Sequence, residues 1–537
     1  MKVNRRDFTL GSIGLGASFL SSCSLENIYK SKPKLSIYGP ESDRGHFLRD
    51  FQADIYPIQK VEKKEQVIIL GGGASGLSAL HYLKLNGLQD VLLLELGREV
   101  GGNARSGSHD YGSYPWGAHY LPILSKENVE LISFLNKAGA ISDFDNLGKP
   151  FYREDFLVHA PEERLFRYGA FQNGLFPDFN VPKGSQDQKE KFYQLLESYK
   201  LFKTDDGRKP FSIPISRSSR DERLLKLDKI SGLEFLKQNG INDLRVLWYS
   251  DYATRDDYGT SLSKVSAWGL LHYFLARDSF KANQTDQDIL TWPEGNNWLI
   301  RQLVSGNESS IQRDEIVLSV VREEKIFKIR SYSVGDKKVL ERETLSVVCA
   351  LPSFVARRIL TDEQRGMLPN VGQYNPWVVS NIILKSDKAY EMPWDSVNYH
   401  SSSLGFVRAN HQDLYKKNSG SILTHYNTYS DSDPVSKRQE LFSSALEELA
   451  KPALQDLTSM YPLLTKEVLE VRMWIWAHAM REVGVDSMKE AILGKSAIGS
   501  NGLFYAHTDA SSISIFEEAF YQGYQACESV MKYLRNV

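Results

Sequence analysis

Gly71-Gly72-Gly73-Ala74-Ser75-Gly76 is a glycine cluster of the kind that brings backbone close to a pyrophosphate. Gly71 allows a tight turn, Gly73 lets the chain approach the phosphates, and Gly76 lets helix and strand pack closely. The flanking residues fit this chemistry. Gln66-Val67-Ile68-Ile69-Leu70 reads as a buried parallel strand, and Leu77 to Leu85 as a helix stopped by Asn86-Gly87. Ala74 and Ser75 then fall in the first helical turn, where unpaired N–H groups and a partial positive charge favour an anion. A second strand, Val91-Leu92-Leu93-Leu94, ends at Glu95, 24 positions after Gly71. A carboxylate at that spacing accepts hydrogen bonds from ribose hydroxyls and repels a 2′-phosphate. Leu96 adjoins it and belongs to the same expected site.

Six residues past Glu95 comes Gly101-Gly102-Asn103-Ala104-Arg105-Ser106. Here the chain resembles the flavin-containing amine oxidoreductase family, in which an acid and a five-residue spacer precede Gly-Gly-Arg-x-x-Ser/Thr. Asn103 stands at the usual arginine position, with Arg105 and Arg98 as substitutes for phosphate neutralisation. The resemblance implies FAD, held without a covalent bond, since neither Cys349 nor Cys527 falls in the family's attachment motif.

Gly502-Leu503-Phe504-Tyr505-Ala506-His507-Thr508-Asp509 resembles the family's closing strand, and Ile515 to Leu534 its last helix. That helix implies a positive end aimed at the flavin pyrimidine. Asp509, or Thr508 in its place, would bind ribityl or pyrophosphate oxygens. His507 replaces a glycine and is either flavin-adjacent or a hydrogen-bonded strand-end residue. Ser514 and Glu517 read as a capping box, with Ile515 in the same turn. Ala519, Gly523 and Ala526 give the helix a small-residue face. Glu294 to Leu299 is similar to the family's Gly-Gly-x-x-x-Leu segment. Val317, in a strand expected over 315–321, would touch the nucleotide through its backbone. Residues 325–334 and 337–343 read as a hairpin turning at Gly335-Asp336.

Tyr114 to Tyr120 is similar to the family segment beneath the isoalloxazine ring, where Gly117 and Ala118 let backbone approach the flavin. Trp474 to Met480 resembles the segment that brings an aromatic to the substrate face. Trp476 and His478 alternate in phase, so a regular strand puts them on one face. His478 is the candidate for assisting amine deprotonation, with Trp476, Trp116 and His119 shaping the pocket. The family lysine near flavin N5 is missing from Pro376 to Asn381, and Lys385 comes later. Asp256-Asp257 and Glu517-Glu518 are sequence neighbours, which puts one member of each pair in solvent.

These motifs need elements to position them. The resemblance implies an α/β fold: a discontinuous Rossmann-like FAD domain from residues 65–120, 290–355 and 496–537, with an inserted α+β substrate domain from 121–289 and 356–495. Ser231 caps a helix over 232–236, and Ser263 to Arg277 is another.

The N-terminus reads as an address. Arg5-Arg6 precedes a short apolar run from Gly11 to Leu20, then Leu20-Ser21-Ser22-Cys23, the layout of a twin-arginine signal with a lipoprotein box. Export of a folded, cofactor-loaded protein to the periplasmic side of a bacterial membrane, lipid-anchored at Cys23, is the expectation. Residues 24–64 then read as a tether.

Composition excludes other classes. Over 537 residues, 65 Lys and Arg balance 67 Asp and Glu, which leaves no broad cationic surface for nucleic acid. Three cysteines exclude a disulfide scaffold, and no Cys/His spacing suggests a metal. The expected function is oxidation of an amine, a polyamine by resemblance, by hydride transfer to flavin and on to an unidentified electron acceptor. A desaturase or isomerase of an apolar substrate, or a non-catalytic dinucleotide-binding envelope protein, is the alternative. An acidic, aromatic-lined pocket favours amines; a greasy tunnel favours the apolar substrate.

Overall fold

The computed structural model describes residues 32–51, 56–159, 162–181, 185–285, 288–412, 420–494, 499 and 501–537. The export signal, residues 1–23 with Cys23, lies outside them. No helix among the described residues is long and apolar enough to cross a membrane.

In chain order the elements that matter are β1 (Lys34–Gly39), α1 (Ser42–Asp50), β2 (Ile58–Lys60), β3 (Glu65–Leu70), α2 (Ala74–Leu85) and β4 (Val91–Leu94). Then come α3 (Leu244–Tyr258), α4 (Ala267–Leu275), β5 (Glu315–Glu323), β6 (Ile326–Ser333), β7 (Lys338–Cys349) and α5 (Ser353–Ile359). The chain closes through β8 (Tyr374–Leu384), β9 (Ser421–Thr428), β10 (Val468–Arg481), β11 (Leu503–Tyr505) and α6 (Phe516–Leu534).

Two eight-stranded arrangements carry the molecule. In the first, β4, β3 and β7 lie side by side in parallel, continued by the antiparallel β6 and β5, with β11 and β2 also parallel to β7. The apolar runs of β3 and β4 are buried because helices cover this sheet, as a parallel sheet requires. The fold is α/β, with the dinucleotide-type domain assembled from separated stretches of chain. The hairpin expected around Gly335 is β6–β7, and β7 runs on unbroken to Cys349.

The second sheet runs β1, β10, β8, β9, then short strands at Phe406–Arg408, Asp395–Asn398, Glu163–Arg167 and Ala170–Asn173. Residues 34–51 and 56–60, within the 24–64 stretch expected as tether, are structured. β1 pairs in parallel with β10 of this second sheet, and β2 with β7 of the first.

The small-residue face of α6 does what its composition suggests. A Cβ on Gly523 would overlap the Ser75 carbonyl oxygen, and Ser78 Oγ donates to the Phe520 carbonyl at 2.7 Å, so α6 lies tight against α2. Cys349 and Cys527 are buried free thiols, each pushed up to about 12 by burial. Ser231 caps its helix as expected, whereas the helix expected from Ser263 begins at Ala267, capped by Ser266.

Candidate active site

The glycine turn joins β3 to α2. Gly71 sits at φ +99°, a conformation glycine adopts without strain, and a Cβ on Gly76 would overlap the Gly71 carbonyl oxygen. Gly73 is the N-cap of α2, contributes no capping side chain, and has open space where a Cβ would lie. The first N–H groups of α2, at Ala74, Ser75 and Gly76, thus begin a helix that no side chain caps, the arrangement that binds a phosphate. Glu95 ends β4 with its carboxylate fixed by the N–H groups of Gly72 and Gly97, each at 2.7 Å. A carboxylate offers about four acceptor positions, so capacity for ribose hydroxyls remains. On these residues the site fits a dinucleotide.

Other expected cofactor residues are placed differently. Gly101 and Gly102 both have positive φ, and Gly102 lies against Gly73, so the second glycine pair does line the turn. Arg105 is not free for phosphate: it pairs with Glu41 at 3.2 Å and Glu95 at 3.5 Å. Arg98 is exposed and lies 3.9 Å from Glu41. Asn103 Nδ2 donates to the Ala479 carbonyl at 2.7 Å, which joins the two domains beside the cavity described below. Val317 marks a break in the β5–β6 register. Leu96 gives its carbonyl to Arg44.

Asp509 turns inward. Its Oδ2 accepts from the Ser353 N–H at 2.7 Å and from the Tyr374 hydroxyl, capping α5. Burial opposes its ionisation, but the His507 imidazole and these donors outweigh it and hold the carboxyl below the ordinary range. The expected capping box of α6 is absent. Ile515 is the N-cap without a side-chain bond, Ser514 Oγ instead accepts the Arg481 N–H at 3.2 Å, and Glu517 turns to Arg277. The uncapped N-terminus of α6, Ser514 to Glu517, opens into a cavity.

That cavity gathers aromatic walls and buried charged side chains in one place. It lies between the domains, walled by Gly117, Ala118, His119, Tyr120, Trp377, Tyr426 and Trp476, with Asp256, Asp257, Arg277 and Glu517 at its polar side. Asn296 Oδ1 and Trp377 Nε1 are buried at its wall with no hydrogen-bond partner among the described residues. Two orphaned polar atoms at one cavity point to a ligand that completes them.

The acids were expected to be half solvated. Instead they interlock: the Tyr120 hydroxyl lies 2.9 Å from both Asp256 Oδ2 and Asp257 Oδ1, and Arg277 bonds Asp257 at 2.5 Å and Glu517 at 3.2 Å. One phenolic proton cannot serve two carboxylates, so one of these contacts calls for a protonated carboxyl. Asp256 fits that role. Burial and the neighbouring Asp257 charge raise it to about 7, against the pull of Tyr120 and Arg277. Burial also raises Glu517, and raises Glu518 to about 8.

The aromatic expectations divide. His119 lines the cavity, stacked on Tyr426 at 4.5 Å, and burial lowers it to about 3, so it is neutral. Trp476 lines the cavity and donates from Nε1 to the Trp116 carbonyl at 2.6 Å. Trp116 itself is a core residue, packed on Tyr114 and Trp474. His478 is exposed on the outer side of β10, stacked on Phe354 at 4.5 Å, and does not reach the cavity. The reason is a bulge. Trp377 pairs with Trp476 but Asn375 pairs with Met480, so β10 spends extra residues at 477–479 and the alternation breaks. Ala479 and Met480 thereby face the cavity in its place. A Cβ on Gly117 would overlap the Asn103 carbonyl oxygen, so this glycine is needed for chain-to-chain approach as well as for lining the cavity. Sequence reasoning missed Tyr120, Asp256, Arg277, Asn296, Trp377 and Tyr426 as wall residues. Lys385 sits beside Glu467, away from the cavity, and Arg277 is the one cation among the lining residues.

With this geometry in hand, the similarities to known proteins can be stated. Residues 69–138 match the NAD(P)-binding Rossmann-like domain. Over 102 residues the chain is 30% identical to polyamine oxidase 7 of Oryza sativa subsp. japonica, a stretch that is 18% of this chain and 22% of that protein. The chain thus spans about a fifth of that curated relative. Putrescine oxidase in its putrescine-bound structure superposes with a TM-score of 0.62 at 14% identity, over 89% of this chain and all of that one. The fatty acid isomerase of P. acnes superposes with a TM-score of 0.57 at 18% identity, over 88% of this chain and 99% of that one. The chain therefore shares one fold with an amine oxidase and a fatty acid isomerase, and the fold alone does not choose between their chemistries.

Proposed function

We propose that this chain is an FAD-dependent oxidoreductase that oxidises an amine, in finer form a polyamine, in the cavity between its two domains. The observation that carries this reading is the charge of the wall. Three carboxyl groups, Asp256, Asp257 and Glu517, line the wall with the single guanidinium of Arg277, so acids outnumber the cation there. An ammonium group gains from that charge and from the faces of Tyr426 and Trp476, whereas an acyl chain would have to desolvate buried carboxylates.

The first turn of α2, with Gly71, Gly73, Ala74, Ser75 and Gly76, would hold the pyrophosphate, and Glu95 the ribose. Bound FAD would supply the hydride acceptor. The protein's own part is to bind, orient and deprotonate. Hydride loss requires a neutral nitrogen, and Asp256, as carboxylate, takes the proton of the bound ammonium with Tyr120 beside it to pass it on. Neutral His119 and Trp476 shape the wall. The export reading is part of the same proposal: a twin-arginine route would deliver the folded, loaded protein, with Cys23 as its lipid anchor.

Incubation of purified protein with an artificial two-electron acceptor and a panel of mono-, di- and polyamines, assayed for aldehyde and for the released ammonia or shorter amine, tests the function. Product from a diamine or polyamine is expected. Turnover of an unsaturated fatty acid with none of any amine would move the assignment to the isomerase chemistry. Loss of labelled palmitate from a Cys23→Ala variant is expected for the anchor.

A further inference from the structure

The segment that precedes the glycine turn carries contacts that neither the fold nor the cavity requires. After β1 the chain passes over Trp474, so closely that a Cβ on Gly39 would overlap the indole, and arrives at the C-terminal end of β4. There Glu41 faces Arg105 at 3.2 Å, and Arg105 lies 3.5 Å from Glu95. One turn later Arg44, 6% exposed, donates to the Leu96 carbonyl at 3.1 Å and pairs with Asp314. Phe47 stacks on Tyr332 at 4.4 Å and packs with Leu96 and Ile316. β2 then joins the first sheet. A strap anchored on both sheets thus crosses the end of β4 where Glu95 points.

We propose that residues 39–50 form the outer wall of the nucleotide site and that Glu41 is a positioning residue for Glu95. The inference rests on the FAD reading above. Arg105 is shared between two carboxylates, and its distance to Glu95, at the limit of a hydrogen bond, is the longer of the two. The Glu41 charge holds the guanidinium back, which leaves Glu95 lone pairs free for ribose hydroxyls. With Glu41 neutralised, Arg105 closes on Glu95 and competes with the ribose.

The test compares wild type with Glu41→Gln and Lys34→Ala. Lys34 is at the other end of the strap, exposed, and paired with Glu470 at 3.3 Å. The readouts are FAD release from the purified holoprotein, followed by flavin fluorescence, and the affinity of the stripped protein for FAD against FMN, which lacks the adenosine. E41Q is expected to release FAD about tenfold faster and to lose about tenfold in FAD affinity, with FMN affinity unchanged; K34A is expected to match wild type. Unchanged FAD release in a folded E41Q, or equal losses for FAD and FMN, or equal acceleration in K34A, would overturn the role given to Glu41. Should E41Q fail to accumulate, Glu41→Asp, which keeps the charge on a shorter stem, serves with the same expectations at smaller size. Wild-type protein that takes up no flavin at all would instead remove the FAD reading itself, a result distinct from each of these.

Discussion

Trp476 lies directly opposite Trp377 on neighbouring antiparallel strands, and beyond that pair the two strands fall out of step, with Met480 rather than His478 set against Asn375. The bulge sends His478 to the surface and keeps Trp476, Ala479 and Met480 on the cavity. His478→Ala is therefore expected to leave kcat/KM within about twofold, as surface substitutions do. Trp476→Ala removes an aromatic face and the bond to Trp116, and should raise KM about tenfold, in line with ~1–2 kcal/mol for a desolvated cation–π contact. Steady-state kinetics on the two variants checks both, and a large loss in H478A would contradict the placement.

Asp256 supplies the pH dependence. With its carboxyl raised to about 7 by burial and by Asp257, it is neutral below that pH and can accept a proton only above it. Amine turnover, read as kcat/KM, should rise as pH passes about 7. Asp256→Asn should lower kcat/KM by ~100-fold, the scale of a lost general base, and flatten that limb. A limb that persists unchanged in D256N would assign the proton to another group.

Gly73 separates folding from cofactor binding. Its φ is −75° and a Cβ there meets open space, so Gly73→Ala should fold with a stability within about 0.5 kcal/mol of wild type. The added methyl would stand at the start of α2, where the pyrophosphate is proposed to rest. Flavin content per mole of purified protein is expected to fall at least about tenfold, with a far-UV spectrum like wild type.

Much of this was legible in the chain itself, and the failures share a cause. The turn from β3 into α2, Glu95 at the end of β4, the β6–β7 hairpin and the small-residue face of α6 follow from local pattern: β-branched runs, glycines at fixed offsets and a helical period. The cavity wall does not. Asp256 and Asp257 end α3, Tyr120 lies far upstream and Glu517 opens α6, so their meeting is a product of tertiary packing. The bulge in β10 has no marker in Trp474 to Met480, where an unbroken alternation would look the same. Residues 24–64 read as tether because they are polar, but β1 and β2 within them are short pieces on the edges of sheets whose cores lie elsewhere.

Glu518 offers a test through stability. Its Oε1 accepts the Ile215 N–H at 2.6 Å, and burial raises the group to about 8. Because the folded value lies above the unfolded one, near 4.5, the relative stabilisation is present below about 4.5 and is lost as pH rises through 8. Glu518→Gln keeps an acceptor for Ile215 without the charge. Its unfolding midpoint should exceed that of wild type by a margin that grows between pH 5 and about 8.

The central claim is that an amine in the acidic cavity delivers its electrons to a flavin held at the glycine turn. Anaerobic titration of the purified protein, loaded with FAD, with putrescine and spermidine, followed at the flavin absorbance band, addresses it in one step. Bleaching by at least one of them, slowed about 100-fold in Asp256→Asn, is the result predicted. A flavin that stays oxidised with every amine, or is reduced as fast in D256N as in wild type, would contradict it.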